Sequence, residues 1–163
     1  MKVAVICVAD SGVEYYRQKW PAQAVAEATG WDVRVYEPGE VKAADEGESF
    51  WLKGVDLKDL DLVVMSRPGK PDMVRFLQEM QRIGVGVVVD VDDDVSTCHP
   101  QSGSYRIWNG LLRDGTHYNN MRQACSLADV VTVTTLALER KYGSHGRVER
   151  LPNRLPQFRD PLP

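Results

Sequence analysis

Four carboxylates crowd one short stretch of the chain. Asp90, Asp92, Asp93 and Asp94 fall within five positions, at the end of the run G-V-G-V-V-V-D-V-D-D-D-V-S-T-C-H-P that occupies residues 84–100. Like charges a few ångströms apart raise one another's pKa and resist burial, so the cluster needs water, a cation or hydrogen-bond donors. A carboxylate so placed can accept a proton or a hydrogen bond from a hydroxyl, and Asp92 and Asp93 are the central pair of the cluster. Arg67, in the S-R-P-G-K stretch of residues 66–70, is placed to neutralise that pair, to contact an anionic substrate, or to form a structural ion pair with Asp92 or Asp93. Gly12 permits a close backbone approach at a helix start, where free N–H groups can meet an anion. His99, just past the aspartates, and Asn109, in a polar and aromatic stretch over residues 96–116, complete the candidate substrate-binding set. No metal ligands are assigned: Cys98 beside His99 is mere adjacency, and a plain thiol is the simpler reading.

These residues need elements to hold them. Residues 3–9 (V-A-V-I-C-V-A) and 85–89 (V-G-V-V-V) lack polar alternation, as in strands covered on both faces of a parallel sheet. Ser11 and Glu14 have the S-x-x-E spacing of a capping box, which predicts a helix immediately after the first strand. That helix carries Tyr16, Trp20, Ala24 and Ala28 on one side, with Tyr16 and Trp20 read as core and a kink expected at Pro21. Gly30 closes it. Residues 32–37 alternate as a second strand near an edge, residues 38–53 read as a long loop or a short helix over the sheet, and residues 61–66 form a third strand. Pro71 opens a helix with Met73, Phe76, Leu77, Met80 and Ile83 as its stripe and Gly84 as its stop. After the aspartates come a helix with Tyr118, Met121, Cys125 and Ala128, a strand over 130–134, a helix capped by Thr135 with Leu138 and Tyr142 inside, and a last strand over 147–151. Strands alternating with helices predict an α/β fold: a doubly wound, Rossmann-like parallel sheet in three layers. Its carboxyl edge gathers residues 10–12, 66–70, 90–94 and 134–135, and ligands of open α/β sheets bind at that edge. The plainer alternative for the aspartates is a solvated acidic loop.

The chain's 163 residues make one domain of ordinary size, here residues 1–152, followed by a Pro-rich linker or tail over 153–163; four prolines fall in the chain's last twelve positions, 152–163. A net charge of −3 gives no general attraction to nucleic acid. Residues 139–163 carry six basic against three acidic side chains, a local positive bias. Cys7, Cys98 and Cys125 are widely spaced and suggest neither disulfides nor a zinc site, which suits a reducing, cytoplasmic setting. The longest apolar run, residues 3–9, is too short to span a bilayer and reads as a strand rather than a signal peptide. The G-x-G-x-x-G fingerprint is absent, which removes the support for a nicotinamide or flavin cofactor.

The order of motifs resembles the N-terminal half of a GT-B glycosyltransferase, of the family-4-like group that includes shortened, phage-encoded enzymes. The matching pieces are G-V-E-Y-Y-R-Q-K-W-P, S-R-P, V-V-V-D-V-D-D-D, and A-D-V-V-T-V-T-T-L-A-L-E-R-K-Y-G leading to R-V-E-R-L-P-N. The resemblance implies retaining transfer of a sugar from a nucleotide-sugar donor to an acceptor bound by this domain. It also implies that a C-terminal domain or a partner chain holds the donor, so this domain alone transfers sugar inefficiently. Asp92 and Asp93 match the paired aspartates of the phage-like members, which implies that they are the catalytic pair, taking a proton from an acceptor hydroxyl or holding a donor-sugar hydroxyl, and Gly12 and Arg17 match the loop that approaches the donor phosphate. His99 departs from the pattern by lying several residues past the aspartates. No cofactor is implied, the nucleotide-sugar being a substrate. Two rivals stand beside this reading. Asp90-Val91-Asp92 and Asp92-Asp93-Asp94 each satisfy D-x-D, whose oxygens would carry Mg²⁺ or Mn²⁺ in a GT-A type enzyme. A non-catalytic Rossmann-like module that binds a ligand or partner is the other.

Overall fold

Runs of β-branched residues separated by helices pair side by side, because parallel strands can be joined only through crossovers. The structure, a computed structural model, describes residues 1–9, 11–44, 49–105, 116–143 and 146–153. Its strands are β1 (Lys2–Ile6), β2 (Asp32–Tyr36), β3 (Val41–Ala44), β4 (Ser49–Leu52), β5 (Leu62–Ser66), β6 (Gly86–Val91), β7 (Val130–Val133) and β8 (Val148–Arg150). Six of them form one parallel sheet in the order β2-β1-β5-β6-β7-β8. The chain steps outward from β1 to β2 and then returns to the far side of β1 as β5. The carboxyl ends of β1 and β5 therefore flank the topological switch point, where open α/β sheets place their ligands.

Alternation along each strand separates two faces. Ala4, Ile6, Val63, Met65, Val87, Val89, Val91, Val131 and Val133 point into the larger core. Helices α2 (Pro71–Arg82), α3 (Thr116–Leu127) and α4 (Leu136–Tyr142) supply Phe76, Leu77, Met80, Met121, Ala124, Leu138 and Tyr142 to the same core. Val3, Val5, Val33, Val35, Leu62 and Val64 point the other way, toward Ala22 of the first helical segment. The result is an α/β sheet flanked by helices on both faces, consistent with the Rossmann-like expectation. Thr135 caps α4 by accepting from the Leu138 N–H at 3.3 Å, as its sequence position suggested. A Cβ at Gly143 would lie 2.3 Å from the Glu139 carbonyl oxygen, so only glycine fits behind α4.

Three local expectations are corrected. Within residues 38–53, where a long loop or short helix was expected, β3 and β4 pair antiparallel and Phe50 lies edge-on to Phe76 at 5.5 Å between centroids, residues 45–48 lying outside the described residues. Short apolar runs do not reveal their partners, and here packing on α2 decides the outcome. The first helical segment, α1 (residues 12–29), is not a regular helix with a kink. It runs as an α-turn over Gly12–Glu14, π-helix over Tyr15–Lys19 and α-helix over Trp20–Thr29. Pro21 lacks an N–H and its ring presses on the carbonyl four residues back, and the chain answers by widening to i→i−5 bonding, with the Trp20 N–H on the Tyr15 carbonyl. Finally, the capping box does not form. Ser11 makes no side-chain cap, and Glu14 turns inward and is fully buried.

Candidate active site

β6 extends past its valines to Val91, so Asp90 is a strand residue and Asp92 is the first residue beyond it. Asp90 lies on the α1 face and is 3% exposed. The Arg17 guanidinium meets it in a two-pronged pair, with Nε donating to Oδ2 at 3.1 Å and an Nη on Oδ1. Gln18 Nε2 donates to Oδ2 at 3.2 Å, and Thr132 Oγ1 donates to Oδ1 at 2.5 Å. The remaining Arg17 nitrogen reaches the Leu151 carbonyl at 2.6 Å and Asn153 Oδ1 at 3.3 Å. A guanidinium with 6% of its side chain exposed and its donors so engaged is a tie between β6 and the end of β8. Arg17 is therefore spoken for within the fold. The π-helical turn is what aims Arg17 and Gln18 together at Asp90.

On the neighbouring rim sits a second cluster. Arg67, at the end of β5, donates its backbone N–H to the Asp90 carbonyl at 2.9 Å. Its φ is +40°, the left-handed region, although a residue before proline is normally held extended. Strain of this kind costs about 1–3 kcal/mol and concentrates at functional sites. That backbone brings the guanidinium inward, with Nε 3.4 Å from Asp92 Oδ1 and Nη2 3.6 Å from Glu14 Oε1. Both separations are ion-pair contacts rather than tight hydrogen bonds. Arg67 Nε and Asp92 Oδ1 are buried without a hydrogen-bond partner among the described residues. Ser66 Oγ, by contrast, lies 2.8 and 3.0 Å from the two Glu14 oxygens and donates to that carboxylate.

Two buried acids thus share one guanidinium. Burial pushes the Asp92 carboxyl above the ordinary aspartate value, and Asp93 and Asp90 add to the rise while Arg67 opposes it. Burial likewise pushes Glu14 up, against the Ser66 hydroxyl and Arg67, which favour its ionised form. Tyr16 lies beside the same group. Its phenol is raised by burial first and then by Asp92 and Asp93.

The other candidates are dispersed. Asp93 is exposed, and its backbone carbonyl accepts from the Val95 N–H. Asp94 caps a 3₁₀ turn over Val95–Thr97 and pairs with Lys141 Nζ at 2.6 Å. Burial works to raise its pKa, but the bonds from Lys141 and Ser96 outweigh it and hold the carboxyl below the usual range. Gly12 is exposed at the start of α1 with open space where a Cβ would sit. His99 is exposed and its Nδ1 accepts from the Gln101 N–H at 3.2 Å, a local turn contact rather than one with the aspartates. Asn109 lies outside the described residues.

Sequence reasoning missed Glu14, Ser66 and Tyr16 as members of the site. Glu14 and Gln18 are spaced i,i+4, which puts both on one side of a helical turn, and that polar stripe facing a sheet was the available signal. Among the described residues no group of three or more His, Cys, Asp or Glu side chains is gathered to hold a metal ion. A search of protein-family models and of curated proteins finds no match to this chain.

Proposed function

We propose that this chain is the acceptor-side domain of a glycosyltransferase that uses a nucleotide-sugar donor, with Asp92 facing the acceptor hydroxyl. The observation that carries the reading is Asp92 itself: a carboxyl 8% exposed, raised in pKa, with an unpartnered buried oxygen beside a strained arginine at the switch-point edge of the sheet. A carboxylate whose proton affinity has been lifted above that of a solvated aspartate is a better proton acceptor for a hydroxyl. Arg67 keeps it anionic when the proton is absent and orients it. Glu14, held by Ser66, balances the guanidinium so that the site is not dominated by positive charge. Asp93 and Gly12, both exposed, border the same edge and suit contacts to sugar hydroxyls and to phosphate.

The D-x-D alternative is disfavoured by where the carboxylates point. Asp90 gives both oxygens to Arg17, Gln18 and Thr132, and Asp94 is held by Lys141 and Ser96. Neither D-x-D triplet has two carboxylates free to share an ion. A titration of ¹⁵N-labelled protein with simple glycans, with nucleoside diphosphates and with nucleotide-sugars tests the proposal. Amide shifts are expected at Arg67, Asp92, Asp93 and Gly12, and Asp92→Asn should weaken glycan binding with little loss of fold. Shifts confined to other surfaces, or none at millimolar ligand, would refute it.

A further inference from the structure

A second concavity opens at the carboxyl edge of the sheet, and none of the residues of the candidate active site uses it. It lies on the α2 face, has a volume of about 210 Å³, and is floored by Ile6 of β1, Met65 of β5 and Phe76 of α2. All three are buried. Phe50 of β4 and Met73 of α2 add apolar surface to its walls. Because β1 and β5 flank the switch point, the cavity stands where open α/β sheets seat their ligands.

Its border is polar and partly fixed in place. Glu37 follows β2 in a tight turn, in which the Glu40 N–H donates to the Glu37 carbonyl at 3.1 Å and the Glu37 N–H donates to Glu40 Oε2 at 2.9 Å. Lys19 Nζ pairs with Glu37 Oε1 at 2.7 Å and orients that carboxylate. Asp72 also borders the cavity but is taken up by Arg75. Lys70, exposed at the start of α2, brings an ammonium to the same border.

These groups select a ligand. Two phenyl rings and two thioethers suit the faces and edges of an aromatic ring. The Glu37 carboxylate accepts hydrogen bonds and the Lys70 ammonium donates them, so the occupant needs both hydroxyls and a ring acceptor. Drug-sized ligands fill roughly 300–1,000 Å³, so this smaller cavity admits one ring system and leaves the remainder at the border. An alkyl chain would make no use of Glu37 and Lys70, and a bare phosphate would lie on an apolar floor.

We propose that this cavity binds a nucleoside, with the base among Phe50, Met65 and Met73, a ring acceptor toward Lys70, and the vicinal ribose hydroxyls donating to Glu37. The proposal rests on the cavity and is independent of sugar transfer at Asp92.

The test is NMR of the full chain labelled with ¹³C at the methionine methyls, titrated with adenosine and with cytidine, and with free cytosine and toluene for comparison. Ring-current shifts of the Met65 and Met73 methyls are expected to saturate at millimolar nucleoside. Met80 and Met121, fully buried in the core, should stay fixed and report that the fold is intact. Glu37→Gln should weaken nucleoside binding several-fold and leave free cytosine unchanged. Absence of shifts at Met65 and Met73 with both nucleosides would overturn the proposal. So would toluene binding as tightly as a nucleoside, or a folded Glu37→Gln variant that binds nucleosides as the wild type does.

Discussion

Replacing Arg17 with methionine keeps the apolar length of the side chain and removes the charge. In the folded protein it strands Asp90, 3% exposed, with the Gln18 amide and the Thr132 hydroxyl as its side-chain partners among the described residues. Breaking one side of a buried ion pair costs about 3–5 kcal/mol, because the surviving charge stays desolvated. Domains of this kind have only about 5–15 kcal/mol in total. With a urea m-value of about 2 kcal/mol/M, the midpoint should fall by about 1.5–2.5 M. The assay is urea denaturation followed by circular dichroism on the wild type, Arg17→Met, Asp90→Asn and the double variant. The pair is in direct contact, so the double variant should be more stable than the sum of the singles predicts, by about 1–3 kcal/mol. If Arg17→Met shifts the midpoint by less than about 0.5 M at unchanged m while destroying affinity for a nucleotide-sugar, the structural account is wrong. Arg17 would then be the phosphate-facing residue that the glycosyltransferase resemblance implied.

Glu14→Gln should stabilise the protein at neutral pH and give no advantage at about pH 4, near the ordinary carboxylate value. The raised Glu14 pKa means that the native state holds its proton more tightly than the unfolded chain does, so stability is present below the unfolded value and is lost as pH rises through the folded one. Thermal melts of both proteins across that range check it, and equal differences at both pH values would contradict the buried-acid account. Gly143→Ala should cost about 1–3 kcal/mol because the new methyl meets the Glu139 carbonyl, and a melting temperature within a degree of wild type would argue against that contact. Burial, followed by the charges of Glu14 and Glu37, pushes the Cys7 thiol up to about 12, and burial pushes Cys125 up to about 12 as well. Ellman's reagent in mildly alkaline buffer should therefore modify half-buried Cys98 first and the other two only on unfolding; early loss of Cys7 would show that the rim is more open than described.

The parallel sheet was legible in the sequence because it is written locally: valine runs without polar alternation, Pro71 and Gly84 bracketing α2, and Thr135 capping α4 are each statements about a few neighbouring residues. The grouping of Arg67 with Asp92 on one edge followed from the same logic, since both stand where a strand ends. What tertiary structure alone decided was which partner each charged group took. Glu14 carries the spacing of a cap, yet facing Ser66 and Arg67 across the switch point it is drawn into the interior. Arg17 resembles a ligand arginine, but the widened turn before Pro21 swings it onto Asp90. The physical reason is that backbone patterning acts through contiguous residues and survives inspection one segment at a time. A buried charge is settled by whichever counter-charge the folded chain brings within a few ångströms, and those partners here are separated by 73 positions for Arg17 and Asp90 and by 52 for Glu14 and Ser66.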